Sequence, residues 1–499
     1  MSSAAVVLGI DLGTTATKVV AATREAKVLH QTERGYPLRT EQPGEATQDP
    51  ATVRDAAIEA LIECVEWTRS HGHEVRALSF STAMHTILGL DSAGAPVTPS
   101  FNWADTQASE VARRLRTSGT ADSTGHSETA AELHRATGTP VHTQSVMVKL
   151  AWLTGKYPDL ARTADRWCAL KDFVFEEFAG EFVTDYSLAS GSGLQDMQSL
   201  RWHPDALEVA GVRAEQLPEI KSPVDTVALG AEMARRTGLP EGLPVALGGG
   251  DGPLANLGVG AIRPGVAALS LGTSGALRVV REKPGIDDRC RTFSYALAEG
   301  LWVVGGAVSN GAVVGQWAAD AFGIDVAELL DEAREVAPGA DGLMALPYLL
   351  GERAPWWEAD LTGAFVGLRK SHGRAEMTRA VVEGVAQQLA LVRDAVLDAG
   401  AQVRAVRATG GGFRSPVWAE AISAALDLDL QLAESSGGSG LGAVLLGWRA
   451  LGEFDSLEEA GGFVHPERVV SPDPAAAELM TRRRPLVDQL HRALRALEL

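Results

Sequence analysis

A carboxylate flanked by glycines is the first candidate for chemistry in this sequence. The segment Gly248-Gly249-Gly250-Asp251-Gly252 follows the strand-like run Val245-Ala246-Leu247. Because glycines carry no side chains, a hydroxyl-bearing ligand could approach Asp251 closely, and Asp251 could accept the hydroxyl proton during phosphoryl transfer. Taken alone, the segment is slightly better explained as a turn in which Asp251 caps a helix that begins near Pro253.

Two turns of glycine and hydroxyl residues are the second candidate. Gly13-Thr14-Thr15 and Gly272-Thr273-Ser274 each stand between two β-type runs and are followed by a Val-Val pair. Backbone N–H groups and hydroxyls in such turns can form a nest for phosphate oxygens. The strand–turn–strand pattern differs from the strand–turn–helix of a P-loop. Two nests that face each other across a cleft could hold the phosphates of a nucleotide.

Three further features could complete a nucleotide site. Asp11 ends the first β-type run, where its carboxylate would repel phosphate unless a cation intervened, so we predict that it holds Mg²⁺, directly or through water. Lys18 could add positive charge, although on a strand it could equally face solvent. The turn Gly410-Gly411-Gly412 precedes a predicted helix over residues 416–426 and could back a nucleoside, but glycine turns before helices are common.

Polar residues near predicted strand ends could line a pocket for a polyhydroxy compound. Met84-His85 follows the strand-like residues 77–80, and Trp103-Ala104-Asp105 comes about twenty residues later. Histidine and aspartate can bond hydroxyls, while an aromatic ring covers a carbon chain. Taken singly, His85 is also well explained as a structural histidine and Trp103 as a core aromatic.

The elements that must position these residues form an α/β pattern. The two hairpins stand about half the chain apart, which suggests a duplicated domain, and 499 residues favour at least two domains. Apolar residues recur at helical spacing over residues 377–396, and residues 475–499 also read as a helix. We place the domain boundary near residues 247–252, before the second hairpin.

Composition excludes several function classes. The net charge of −19 argues against nucleic-acid and membrane partners. The cysteines Cys64, Cys168 and Cys290 lie far apart, which disfavours a disulfide framework or a zinc site and favours a reducing compartment. Without a signal-like or membrane-spanning segment, a cytoplasmic location is expected. A homodimer is compatible with the sequence, which does not determine the oligomeric state.

The order of these motifs resembles the FGGY carbohydrate kinases, and residues 363–368 with residues 376–383 are similar to that family's C-terminal signature. The resemblance covers almost the whole chain. It implies two ribonuclease H-like domains of the actin-like ATPase fold that meet in a catalytic cleft. Residues 1–247 would form the sugar-binding domain and residues 248–499 the nucleotide-binding domain.

Within the family, residues 251–262 and Gly351-Glu352-Arg353-Ala354-Pro355 are similar to the gluconokinase branch. That similarity implies ATP- and Mg²⁺-dependent phosphorylation of D-gluconate to 6-phosphogluconate, with Asp251 as the base and Asn310 near the nucleotide. The substrate carboxylate needs a partner, and His85, Lys149 and Arg353 are the candidates. Arg353 could equally form a salt bridge with Glu352 or Glu358.

Other functions stay open. Xylulokinase, or another pentulose or polyol kinase of the family, is the main alternative, because the xylulokinase branch shares the Met-His pair and a Gly-Glu-Arg segment. Gln107 and Thr362 depart from the family pattern and weaken the assignment of the substrate. A sugar-binding regulator with weak catalysis would more readily have lost Asp251 or a Gly-Thr turn. A chaperone or cytoskeletal ATPase of the same fold would not need Met84, His85, Trp103 and Asp105.

Overall fold

The computed structural model describes residues 4–117, 127–433 and 438–495. The first half of the chain contains, in order, the elements β1 (Ala5–Leu12), β2 (Ala16–Ala22), β3 (Val28–Gly35), β4 (Thr47–Gln48), α1 (Pro50–Ser70), β5 (Glu74–Thr82), β6 (Leu88–Leu90), β7 (Ser100–Phe101), α2 (Ser109–Thr117), α3 (Glu128–Thr137), α4 (Val146–Lys156), α5 (Pro158–Thr163), β8 (Arg166–Cys168), α6 (Leu170–Ala179), β9 (Val183–Asp185), α7 (Tyr186–Ser190), α8 (Pro204–Ala210), β10 (Glu219–Lys221), β11 (Thr226–Ala228), α9 (Ala231–Thr237) and β12 (Pro244–Gly250).

The second half begins with a helix that follows β12 directly. Its elements are α10 (Asp251–Gly258), β13 (Gly265–Leu271), β14 (Gly275–Arg281), β15 (Phe293–Ala296), β16 (Trp302–Val308), α11 (Val313–Phe322), α12 (Val326–Glu335), β17 (Met344–Leu346), β18 (Ala364–Val366), α13 (Arg374–Asp398), β19 (Val403–Thr409), α14 (Pro416–Leu426), β20 (Leu430–Leu432), α15 (Gly438–Ala450), α16 (Leu457–Gly461), β21 (Arg468–Val470) and α17 (Pro474–Arg495).

Two large sheets repeat one topology. The first has the strand order β11-β12-β5-β1-β2-β3, and the second has β15-β16-β14-β13-β19-β20-β21. In each sheet an antiparallel hairpin, β1–β2 or β13–β14, lies beside a parallel strand, β5 or β19. A further parallel strand and a closing antiparallel strand follow on the same side, β12 and β11 or β20 and β21. The duplicated hairpins predicted from the sequence are therefore confirmed as the centres of two equivalent sheets.

The central strands are continuous apolar runs because both faces of each sheet are covered. In β1, Val6, Leu8 and Ile10 pack into one core with α1, while Val7 on the opposite face joins a second core that extends into the C-terminal half. That second core includes residues of α10 and α15, which lie against each other. They approach so closely that a Cβ on Gly442 would stand 2.0 Å from the Leu254 carbonyl oxygen. Helix α10 is thereby held between the two halves, and its first residue is Asp251.

Other local predictions agree with the structure. Helix α13 covers the apolar repeat of residues 377–396, and α14 spans the predicted residues 416–426. The C-terminal helix is present as α17, while residues 496–499 of its predicted span lie outside the described residues. In the described ranges, none of the helices combines the length and apolar character that a membrane crossing requires. The domain division between residues 247 and 248 stays a prediction.

Candidate active site

The predicted base stands at the N-terminus of α10. Asp251 Oδ1 accepts hydrogen bonds from the Gly252 N–H at 2.8 Å and the Met84 N–H at 3.3 Å. Burial and the nearby negative charge of Asp11 raise the Asp251 pKa to about 6, against the opposing effect of Arg278. This carboxylate is ionised at neutral pH and can take up a proton at modest cost, which are the properties a general base needs.

The turn that carries Asp251 depends on a β-bulge at Gly248. The register between β12 and β5 shifts at this point, and Gly248 has φ 78°. A Cβ there would lie 1.7 Å from the Phe80 carbonyl oxygen, so only glycine fits. Gly250 donates its N–H to Ser187 Oγ at 3.4 Å, which ties the end of β12 to α7.

A buried ion pair contacts the strand that leads into the same turn. Lys171 and Asp185 form a salt bridge, and the side chains of both are fully buried. Lys171 Nζ also donates to the Leu247 carbonyl oxygen at 3.3 Å, and Asp185 Oδ1 caps α7 by accepting from the Leu188 N–H at 2.7 Å. The position of Asp251 is thus set by contacts that begin some eighty residues earlier in the chain.

The first Gly-Thr turn joins β1 to β2, as predicted. The carbonyl oxygens of Gly13 and Thr14 are engaged from the protein side, by Tyr36 Oη at 2.7 Å and Gln48 Nε2 at 2.9 Å. The Gly13 N–H donates to the Ala16 carbonyl oxygen at 3.0 Å, so the groups left for a ligand are the N–H groups and hydroxyls of Thr14 and Thr15. Such an arrangement favours anions.

Asp11 lies beside this turn and is only partly satisfied. Its Oδ2 accepts from Ser439 Oγ at 2.8 Å, whereas Oδ1 is buried and has no partner. Burial raises the Asp11 pKa, which Ser81, Ser439 and Lys18 partly offset. A buried carboxylate oxygen without a donor, next to a second carboxylate at Asp251, suits a divalent cation. No cluster of three or more acidic, histidine or cysteine ligands occurs in the described ranges, so an ion here would also need oxygens from a ligand.

Lys18 is the register partner of Asp11 in the hairpin, but its side chain points largely into solvent. It is 46% exposed and pairs with Glu33 at 3.7 Å. The alternative noted from the sequence, a solvent-facing lysine, therefore describes its placement better than a direct phosphate contact.

The second Gly-Thr turn opens into a cavity. Its Gly272 and Thr273 carbonyl oxygens accept from the Ala312 and Gly311 N–H groups at 2.8 and 2.9 Å, which repeats the pattern of the first turn. The adjoining cavity has a volume of about 750 Å³, enough for a nucleoside. Its lining includes Gly272, Thr273, Val313, Leu330, Gly411, Gly412 and Trp418. Ser274 completes the turn, and its carbonyl oxygen accepts from the Gly272 N–H at 2.9 Å.

Asn310 is placed differently from the expectation. It is fully buried, and its Nδ2 donates to the Gly351 carbonyl oxygen at 2.7 Å and to Glu352 Oε2 at 3.2 Å. Its Oδ1 accepts from the Leu350 N–H. Asn310 therefore links the loop behind the second turn to the loop that carries Arg353, and its amide is committed to that link.

Met84 acts chiefly through its backbone. Its N–H bonds Asp251, and its side chain fills the space left by two glycines. A Cβ on Gly250 would stand 2.7 Å from Met84 Cγ, and one on Gly191 2.3 Å from Cε.

His85 has φ 67° and a defined tautomer, because its Nδ1 lies 2.7 Å from the Gly191 carbonyl oxygen and must carry the proton. Burial, together with Lys149 and Arg353, lowers the His85 pKa to about 3. The free Nε2 of this neutral ring is an acceptor, so His85 can bond a hydroxyl but cannot hold a carboxylate.

Trp103 and Asp105, which were predicted to line one pocket, have different surroundings. Trp103 Nε1 donates to Thr14 Oγ1 at 3.0 Å, so its ring borders the first turn. Asp105 is fully buried, and its oxygens accept from the Ala46 N–H at 2.9 Å and from Gln107 Nε2 at 2.9 Å. Asp105 thus lies behind the pocket wall, where its charge partly offsets the lowering of the Lys149 pKa by burial.

Lys149 and Arg353 are both buried, but they differ in what they can still bind. Lys149 Nζ donates to the Gln144 and His85 carbonyl oxygens at 2.7 and 3.2 Å, and burial lowers its pKa to about 7. Arg353 donates from Nη2 to the Val308 carbonyl oxygen at 2.9 Å, while its Nε has no partner. Arg353 forms neither of the salt bridges that were weighed for it, with Glu352 or with Glu358, and Glu358 pairs instead with Arg495 at 3.3 Å.

Sequence reasoning missed three buried groups near Asp251, His85 or Arg353. Arg278 on β14 donates from Nη2 to Ser270 Oγ at 3.1 Å and is 8% exposed. An arginine in the apolar strand Ala276-Leu277-Arg278-Val279-Val280 was the available signal. His142 is buried with an unpartnered Nε2, and Tyr295 packs its ring against His85 at 5.6 Å. No local pattern marks these two residues.

The chain is similar to known proteins over nearly its whole length. Sequence profiles of the N-terminal and C-terminal domains of the FGGY family of carbohydrate kinases match residues 6–258 and 267–451. Gluconokinase from Bacillus subtilis is 36% identical over 472 residues, which cover 92% of this chain and 90% of that protein. The crystal structure of gluconate kinase from Lactobacillus acidophilus superposes with a TM-score of 0.92 at 31% identity and covers 99% of this chain and 98% of its own. A ligand-bound xylulose kinase from the same organism has the same TM-score and identity, with 99% of both chains covered. The chain therefore belongs to the FGGY family of carbohydrate kinases and has the two-domain actin-like ATPase fold of that family.

Proposed function

We propose that this carbohydrate kinase transfers the γ-phosphoryl group of MgATP to the 6-hydroxyl of D-gluconate. The observation that carries the proposal is the surplus of buried positive charge beside Asp251. Burial lowers the pKa of both Arg278 and Arg353, and the negative charge of Asp251 partly offsets this lowering in each. The other acidic neighbour of Arg353, Glu352, has its pKa raised by burial to about 7, so it is only partly ionised at neutral pH. A substrate with a carboxylate would neutralise this charge, whereas a neutral ketose would leave it uncompensated.

The chemistry follows from the positions of the chain's own groups. Asp251 accepts the proton of the substrate hydroxyl, whose oxygen forms a bond to the γ-phosphorus as the bond to the β,γ-bridging oxygen of ATP breaks. The Arg278 guanidinium, beside Asp251 and bonded to Ser270 just before the second turn, keeps the base ionised. His85 Nε2 accepts from a substrate hydroxyl, and Trp103 covers part of the carbon chain.

The nucleotide occupies the C-terminal side of the cleft in this proposal. The two turns, Gly13-Thr14-Thr15 and Gly272-Thr273-Ser274, hold phosphate oxygens, while Gly411 and Gly412 back the adenosine. Asp11 holds Mg²⁺, directly or through water, and the ion supplies neutralisation of the phosphate charge. Lys18 contributes at longer range through Asp11, and Asn310 positions the loop behind the second turn.

An ADP-release assay with a substrate panel tests the proposal. D-Gluconate should give a kcat/KM at least tenfold above those of D-xylulose, D-ribulose, glycerol and erythritol. Asp251→Asn should abolish turnover and still bind ATP, which controls for contaminating kinases. A preference for D-xylulose would establish the second candidate, xylulokinase, which the equally similar xylulose kinase structure favours. ATP and sugar binding without turnover of any member would instead indicate a regulator.

A further inference from the structure

We propose that the substrate carboxylate is held between Arg353 and His142, so that one half of the chain supplies each side of the anchor. The inference rests on the proposed function and deepens it, since the sequence left the carboxylate partner undecided. It concerns the end of the substrate remote from Asp251.

Arg353 has a fixed guanidinium with a free donor. Its Nη2 is bonded to the Val308 carbonyl oxygen, and its Cζ stands 4.9 Å from the centre of the Trp103 ring. These contacts set the plane of the group, while the buried Nε–H has no acceptor among the described residues. An unpaired buried donor of a charged group is costly unless a ligand satisfies it.

His142 presents a second free donor. Its Nδ1 accepts from the Gln144 N–H at 3.3 Å, so the neutral ring carries its proton on Nε2. That Nε2 is buried and has no partner among the described residues. The His142 ring packs edge-to-face against the Trp357 ring, with 5.8 Å between the ring centres. The backbone N–H of Trp357 in turn donates to the Arg353 carbonyl oxygen. His142 and the loop that carries Arg353 are therefore neighbours.

The surroundings favour an anion over a hydroxyl. Burial lowers the His142 pKa well below its ordinary value, and the positive charges of Arg116, Arg353 and Lys149 lower it further. Two donors without acceptors, in a pocket with this charge, match the two oxygens of a carboxylate. The other candidates fit less well, because His85 offers only a lone pair and Lys149 already donates to two carbonyl oxygens.

The anchor also joins the two halves of the chain. Arg116 on α2 donates from Nη1 to the Trp357 carbonyl oxygen, which holds the loop from Arg353 to Trp357 against the N-terminal half. A carboxylate bound at both Arg353 and His142 would strengthen that closure. A neutral substrate of the same length would gain neither contact.

The test compares D-gluconate with D-glucitol, which has the same carbon chain and a hydroxymethyl group in place of the carboxylate. His142→Phe and Arg353→Met should each lower kcat/KM for D-gluconate by about 10- to 100-fold, chiefly through KM, because a hydrogen bond to a charged group is lost in ground and transition state alike. For D-glucitol each variant should lower kcat/KM by a smaller factor, so that the ratio of kcat/KM for D-gluconate to that for D-glucitol falls by about threefold or more. His142→Gln and Arg353→Lys, which keep a donor or the charge, should recover part of the selectivity.

His134→Phe is the matched control. His134 is also buried between the halves but is bonded to the Thr292 carbonyl oxygen, so its loss should affect both substrates in proportion. Calorimetric binding of the two compounds gives the same comparison if D-glucitol turnover is slow. Wild-type selectivity retained in folded His142→Phe and Arg353→Met would overturn the anchor and leave the gluconate proposal intact. A wild-type enzyme that does not favour D-gluconate over D-glucitol would overturn both.

Discussion

Replacing the base with its amide should make the protein more stable while it abolishes turnover. In the folded protein the Asp251 pKa is raised by burial and by Asp11 from the ordinary 3.8 to about 6. The protonated carboxyl contributes its full stability below about pH 3.8, and that contribution is lost as the pH rises to about 6. At neutral pH the ionised Asp251 therefore destabilises the fold, and Asp251→Asn removes that penalty.

The size of the effect follows from the same pKa. Each pKa unit is worth about 1.4 kcal/mol, so the penalty at pH 7.5 approaches about 3 kcal/mol. At pH 4.5 most of the folded protein is already protonated at Asp251, and the same linkage leaves about 1 kcal/mol. The hydrogen bonds that Asp251 accepts from the Gly252 and Met84 N–H groups already lower this pKa, so their loss is included in the difference. The stability gain of Asp251→Asn should accordingly be largest at pH 7.5.

Calorimetric unfolding of the ligand-free wild type and Asp251→Asn, at pH 4.5, 6.0 and 7.5, measures this gain. Asp196→Asn is the control of opposite sign. Burial raises the pKa of Asp196, but hydrogen bonds from Ser199 and Gln198 outweigh it and lower the pKa overall, so this change should destabilise at pH 7.5. A pH-independent gain for Asp251→Asn, or no gain at pH 7.5, would refute the argument that Asp251 is ionised at neutral pH at a cost in stability.

Two further changes probe the groups around Asp251. Arg278 opposes the rise of the Asp251 pKa, so its loss should raise that pKa further. Arg278→Met should therefore move the acid limb of the kcat/KM–pH profile upward from about pH 6 by up to about one unit. An acid limb that does not move would show that Arg278 does not tune the base. Asp11→Asn should raise the Mg²⁺ concentration for half-maximal velocity by roughly 10- to 100-fold. KM for D-gluconate measured at saturating Mg²⁺ is its control, and an unchanged Mg²⁺ requirement would contradict the metal assignment of Asp11.

Much of the nucleotide side could be predicted from the sequence because its determinants are local. Gly13-Thr14-Thr15 and Gly272-Thr273-Ser274 each carry their turn chemistry within a few residues, and both form hairpins as expected. The glycines around Asp251 likewise mark a turn and a helix start. The local sequence could not show, however, that the Asn310 side-chain amide is hydrogen-bonded to residues 350–352, some forty positions away.

The sugar side depended on long-range contacts. Asp105 was expected to line the pocket, yet its oxygens are bonded by Ala46 and Gln107. His85 was a candidate carboxylate partner, yet the Gly191 carbonyl oxygen fixes its tautomer as an acceptor. Both residues are of a type that can bind a polyhydroxy compound. Which of their polar atoms remain for a ligand depends on hydrogen-bond partners that only the tertiary structure brings beside them.

The sequence by itself determined the family, the duplicated hairpins and the carboxylate Asp251, because turn glycines and strand periodicity act between neighbouring residues. Only the tertiary structure decided the charge and the free donors of the pocket. The Asp251 pKa depends on burial and on Asp11. The unpaired donors of Arg353 and His142 are brought near each other because both residues contact Trp357. Desolvation and tautomer choice are properties of an environment assembled from distant segments, and they appear only when the chain is folded.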